Sequence, residues 1–190
     1  MRPLYLLYPA LAGAVLGCVA DVFLLYEPSA VYEAGDYAFL RGIEPERLAL
    51  GHYIGVLAIP LEGLGFWYLI DGLWQGRERL KTALMWLVSW VLVLGVVYHG
   101  SVAWLGAWLR AGGALSEVEN LITPLAGALV VGFALLSMLW GWELWRRGRG
   151  RYYGRGVLWQ HPLLTYLLCI GLYLLVPSVG RYTAVAGFNM

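Results

Sequence analysis

The segment Leu50 to Trp74 is a long apolar run that carries a carboxylate, Glu62, near its middle. Gly51, Gly55, Ala58 and Gly65 recur around it at three- and four-residue intervals, so they form one stripe of small residues along a helix. Such stripes let helices approach closely in lipid. A carboxylate in hydrocarbon is costly and points into a bundle rather than at lipid. The segment therefore predicts a membrane helix whose inner face bears a chemically active group.

Composition extends that reading to the whole chain. Its 190 residues are 61% hydrophobic and only 13% charged, with a mean hydropathy of +0.67, well outside the average for a soluble domain. Each spanning helix needs about 20 apolar residues, so this length holds five spans with loops, or six with very short ones. The fold class expected is all-α, a polytopic transmembrane bundle forming a single domain over residues 1–190. Cys18 and Cys169 stand alone in apolar segments, which argues against a thiol redox centre or a zinc knuckle. Val15-Leu16-Gly17-Cys18 loosely resembles a lipoprotein cleavage box, but leucine before Gly-Cys fits it poorly. The apolar run also continues to Tyr26, so the first helix is expected to be retained.

Five spans follow from the apolar runs: Pro3 to Tyr26, Leu50 to Trp74, Thr82 to Ala107, Leu121 to Trp145 and Val157 to Val176. Arg2, Arg77, Arg79, Lys81, Arg146, Arg147, Arg149, Arg151 and Arg155 then fall on one side of the membrane. Only Arg41, Arg47, Arg110 and Arg181 fall on the other. The positive-inside rule puts the N-terminus in the cytoplasm and the C-terminus outside. The outer loop at 27–49 is long and contains Tyr32, Tyr37 and Phe39, which suits either a lid over the bundle or an ordered connector. Pro45 suits the first turn of the second span, and Pro60 is expected to kink it beside Glu62. Trp67, Tyr68, Trp74, Trp140, Trp142 and Trp145 cluster near span ends, as an interfacial aromatic belt does. The basic stretch Arg146, Arg147, Arg149, Arg151 and Arg155 lies between two spans. It reads as a topology determinant meeting anionic lipid headgroups, not as a nucleic-acid patch.

Three of the helices bring a polar residue to the outer half of the bundle. Asp21 lies on a stripe with Ala10, Ala14 and Gly17, and His99 on one with Gly95, Ala103 and Gly106. His52 lies about 100° round its helix from Gly51. One carboxylate and two imidazoles are the donor set of a non-haem iron facial triad, and equally suit zinc with an open position. The bland alternative is hydrogen-bonded helix glue. His52 and His99 could instead be axial ligands of a haem b. Glu62, about ten residues deeper than His52 and so roughly 15 Å along the helix, is a candidate buried proton carrier. His161, Thr165, Cys169 and Tyr173 form a polar row on the fifth span. No His-Glu-x-x-His, Gly-x-Ser-x-Gly, Gly-x-x-x-x-Gly-Lys-Ser/Thr or paired-cysteine motif is present.

The strings Asp21-Val22-Phe23-Leu24-Leu25-Tyr26, Gly51 to Pro60 with Gly65-Phe66-Trp67, His99-Gly100-Ser101 and Pro177-Ser178-Val179-Gly180 resemble those of an uncharacterised family of small bacterial multi-pass membrane proteins. The resemblance implies a bacterial cytoplasmic membrane location. It also implies a sixth apolar helix after Gly187-Phe188-Asn189, where this chain stops at Met190. It implies no activity and no catalytic residues.

The sequence leaves three functional expectations. The first is an integral membrane protein with an outward-facing polar cavity for a lipid-like or small-molecule ligand, which becomes an enzyme if a metal at Asp21, His52 and His99 activates water or oxygen. The second is a non-catalytic accessory subunit of a larger membrane complex, with partner subunits on its apolar faces. The third is a haem b anchor.

Overall fold

The computed structural model describes residues 5, 7–27, 37–74, 76–147 and 175. Those residues are helical throughout their regular structure. Helix α1 spans Leu7–Leu25, α2 Pro45–Leu73, α3 Glu78–Arg110 and α4 Leu115–Arg147, with a short 3-10 turn at Ala38–Arg41 before α2. All four α-helices are long and apolar enough to cross a membrane. At 33 residues, α3 is about 50 Å long against a hydrocarbon core of about 30 Å, so it is long enough to cross one with length to spare. Tyr53, Leu57, Trp86, Trp90 and Trp104 lie exposed on its surface and on that of α2, as lipid-facing residues do. The expected fifth span, Val157 to Val176, lies outside the described residues except for Leu175, as does the polar row at His161, Thr165, Cys169 and Tyr173.

The chain divides into two compact units, Met1–Leu129 and Val130–Met190. In the second, α4 continues to Arg147 and buries Leu136, Ser137 and Glu143.

The first unit is organised by α2. Pro45 occupies its first turn, where the missing N–H has no helical partner in any case, and the helix runs on unbroken through Pro60 to Leu73. Helix α1 packs antiparallel on the small-residue stripe. A Cβ on Gly65 would stand 2.8 Å from the Ala10 methyl, one on Gly13 2.8 Å from the Ala58 carbonyl, and one on Gly51 2.9 Å from the Ala20 carbonyl. Larger residues at these points would force the backbones apart. The buried stripe of α1 is Gly13, Ala20, Asp21 and Leu24, whereas Ala14, placed on that stripe by the sequence, is exposed. Helix α3 packs on another side of α2 through Leu84, Val88, Val91, His99, Val102 and Gly106, spaced as one helical face.

The polar ends are tied by side chains. Arg47 donates from Nη2 to the carbonyls of Val22 and Tyr26 at 3.1 and 2.7 Å, closing the C-terminal end of α1. Arg110 donates from Nη1 to the Ile43 carbonyl at 2.7 Å and the Arg41 carbonyl at 3.4 Å, fixing the loop to the end of α3. Leu40 and Ile43 of that loop are fully buried, and Tyr37 meets Tyr98 hydroxyl to hydroxyl at 3.4 Å. Residues 37–44 thus form an ordered cover on α3. Helix α3 ends where Gly112 takes φ +92, a conformation that a side chain would strain.

Candidate functional site

The close packing of α1 and α3 on α2 brings together a buried acid–base pair. Asp21 Oδ1 of α1 lies 3.1 Å from His99 Nε2 of α3, and each residue is only 6% exposed. The two helices meet here because α2 presents no side chain in between. The His99 ring lies over Gly55, where a Cβ would run into Nδ1 and stand 2.9 Å from Cε1. Gly55 is therefore the gap through which the imidazole reaches the carboxylate.

Glu62 uses a second gap. Its Oε1 lies where a Cβ on Gly17 would come within 2.6 Å. Gly17 and Asp21 are four residues apart on one face of α1, so the Glu62 carboxylate sits about one helical turn from Asp21. The distance from His52 along α2 is as the sequence implied. The antiparallel register of α1 nevertheless makes Asp21, His99 and Glu62 neighbours, and residue spacing within one helix could not reveal that.

His52 occupies the next position on the α2–α3 contact. Its ring packs on Gly100, where a Cβ would lie 3.4 Å from Cε1, and edge-on to Tyr53. Of the three residues expected to share a metal, the structure pairs Asp21 with His99 and directs His52 to the adjoining slot. Among the described residues no group of three His, Cys, Asp or Glu side chains is placed to hold a metal ion. A haem bridging His52 and His99 would need an open slot between α2 and α3, and the helices are in contact there. The Nδ1 atoms of both His52 and His99 are buried without a hydrogen-bond partner among the described residues. Buried ring nitrogens normally find a partner, and the Nδ1 of His99 is instead packed against α2 at Gly55. Ser101, considered beside His99, donates to the Val97 carbonyl at 2.7 Å within its own helix.

Two further acids stand outside the residues singled out from the sequence. Asp71, buried near the end of α2, pairs with Lys81 of α3, which also meets Glu78 at 3.3 Å. Lys81 had served only as a marker of orientation. The few residues between the two apolar runs, around Gly76, are the sequence signal that could have set Asp71 opposite Lys81. Glu143, in the second unit, is 2% exposed near the end of α4. Trp74, assigned to the aromatic belt, is instead fully buried at the end of α2, whereas Trp67 is exposed.

No characterised protein and no solved structure matches the chain. One family model does, over residues 2–147, a stretch that contains Asp21, His52, Glu62 and His99. Three of the four resembling strings fall within it, and Pro177-Ser178-Val179-Gly180 falls beyond it. By that match, the chain belongs to a family of unknown function, DUF6796.

Proposed function

We propose that this is an integral membrane protein that holds a small polar or lipid-like ligand at an intramembrane site centred on Asp21 and His99, with Glu62 able to exchange a proton with it. The observation that carries the reading is the buried Asp21–His99 pair, in which His99 Nδ1 has no hydrogen-bond partner among the described residues. An acid and a base taken out of water are costly to keep for stability alone, since apolar replacements of similar volume are often as stable. A hydrogen-bonding ligand or a transferred proton gives the pair a use. The small-residue stripes support this reading over the accessory-subunit alternative, because Gly13, Gly17, Gly51 and Gly65 are already engaged within the chain.

The finer topology belongs to the same proposal. The chain has a fifth span at Val157 to Val176, a cytoplasmic N-terminus and a place in the bacterial cytoplasmic membrane. The basic residues Arg146 to Arg155 meet anionic headgroups there.

Mass spectrometry of the protein purified in mild detergent, beside Asp21→Asn and His99→Gln, tests the ligand. A small-molecule species that co-purifies with the wild type and is lost from both variants, at unchanged helix content, is the expected result. Identical profiles in all three proteins would leave the pair as packing and remove the proposal. Elemental analysis of the same samples decides whether a metal accompanies it.

A further inference from the structure

A cavity of about 650 Å³ opens between the C-terminal part of α3 and the first turns of α4, within the first unit. Trp104, Trp108 and Leu121 form its apolar lining, and Glu117 and Asn120 bring polar groups to it. Val118, fully buried, closes its floor. Trp104 is 74% exposed and Leu121 67%, so the cavity faces outward from the helices toward the surrounding membrane.

We infer that this cavity is a binding site for a membrane lipid whose headgroup carries an ammonium group, an aminophospholipid. The charge pattern selects the cation. Glu117 is the one ionised group in the lining, and among the described residues none forms an ion pair with it. The nearest basic residue in sequence, Arg110, turns Nη1 to the Arg41 and Ile43 carbonyls and is not part of the lining. Two indoles beside a carboxylate attract an ammonium through their ring faces, and an amide at Asn120 can accept from it.

The depth selects a lipid over a soluble amine. Trp108 lies half a turn from Arg110, where α3 reaches the headgroup level, and Trp104 lies one turn further toward the hydrocarbon. A ligand seated there has its amine at Glu117 and its chains along Trp104 and Leu121. The site is separate from Asp21 and His99 and stands or falls independently of them.

Native mass spectrometry of the full chain, released from vesicles of equal phosphatidylethanolamine and phosphatidylglycerol, reads the preference directly. The wild type is expected to retain one phosphatidylethanolamine in about fivefold excess over phosphatidylglycerol, the scale of a cation–π contact plus an exposed ion pair. Glu117→Gln should bring the two lipids to parity, and Trp104→Leu should lower the excess. Glu119→Gln removes the same charge two residues away, outside the cavity, and should leave the excess intact. Equal retention by the wild type, or an excess that Glu117→Gln does not change, would overturn the inference. So would a dimer that dissociates on Trp104→Leu, since a second copy would then occupy the face.

Discussion

Glycine decides, at single positions, which polar groups in this protein can meet. Gly55 lets the His99 ring cross to Asp21, and Gly17 accepts the Glu62 carboxylate. Gly55→Ala places a methyl inside the imidazole, so the ring must move or the helices must separate. The expected cost is about 1–3 kcal/mol, typical of overpacking in a tight core. The same substitution in a His99→Ala background should cost far less, because the ring is gone. Unfolding of the four proteins of this cycle in mixed micelles measures the coupling, and equal costs in both backgrounds would show that the ring does not lie over Gly55. The sequence pointed to these glycines as a packing stripe and to Asp21 and His99 as inward-facing residues. It could not show that Glu62 joins them, because spacing fixes positions along one helix whereas the register between helices depends on where the small residues interlock. His52 illustrates the same limit: its depth was legible, but its slot on Gly100 was set by the α2–α3 register.

Between elements, the helix ends are held by charged side chains donating to backbone rather than by conventional side-chain caps. No side-chain cap bond closes the N-terminus of α2 or α3. Arg47, in the first turn of α2, instead satisfies carbonyls at the end of α1, where the helix dipole also favours a cation. Arg47→Gln is expected to lower stability by about 1 kcal/mol, the scale of a charged hydrogen bond and a dipole contact partly exposed to solvent. Hydrogen exchange should accelerate at the last turn of α1, including the Tyr26 amide that bonds to the Val22 carbonyl at 3.3 Å. It should leave the α2–α3 turn unchanged. Acceleration spread evenly over all helices would mean that Arg47 acts on the fold as a whole. Helix identity and approximate bounds were legible from apolar runs and from Pro45. The arginine ties were not, because an arginine in a loop reads equally well as a topology signal, a headgroup contact or a carbonyl donor.

At the scale of the molecule, the charges that orient it and the charges that hold it together are partly different residues. Arg47 and Arg110, two of the four basic residues that the sequence assigns to the outer side, donate to backbone carbonyls. In the first unit, Arg77, Arg79 and Lys81 lie at the α2–α3 turn, and in the second, Arg146 and Arg147 end α4. Lys81 is bound to Asp71 and Glu78, and with Arg77 and Arg79 the turn keeps a net positive charge. The asymmetry predicts that the α2–α3 turn and the end of α4 lie in the cytoplasm. On the proposed topology, four spans from a cytoplasmic N-terminus would return the chain to the cytoplasm at Arg147, and the fifth span expected from the sequence would carry Met190 across. Paired reporter fusions separate these steps. A fluorescent protein that matures only in the cytoplasm should be bright when fused after Arg147 and dark after Met190, and a phosphatase active only outside should behave in reverse. If both fusions report the cytoplasm, Val157 to Val176 does not cross. If both patterns are inverted, the orientation is wrong and the arginine-rich end faces outward, against the charge distribution that the rest of the sequence obeys.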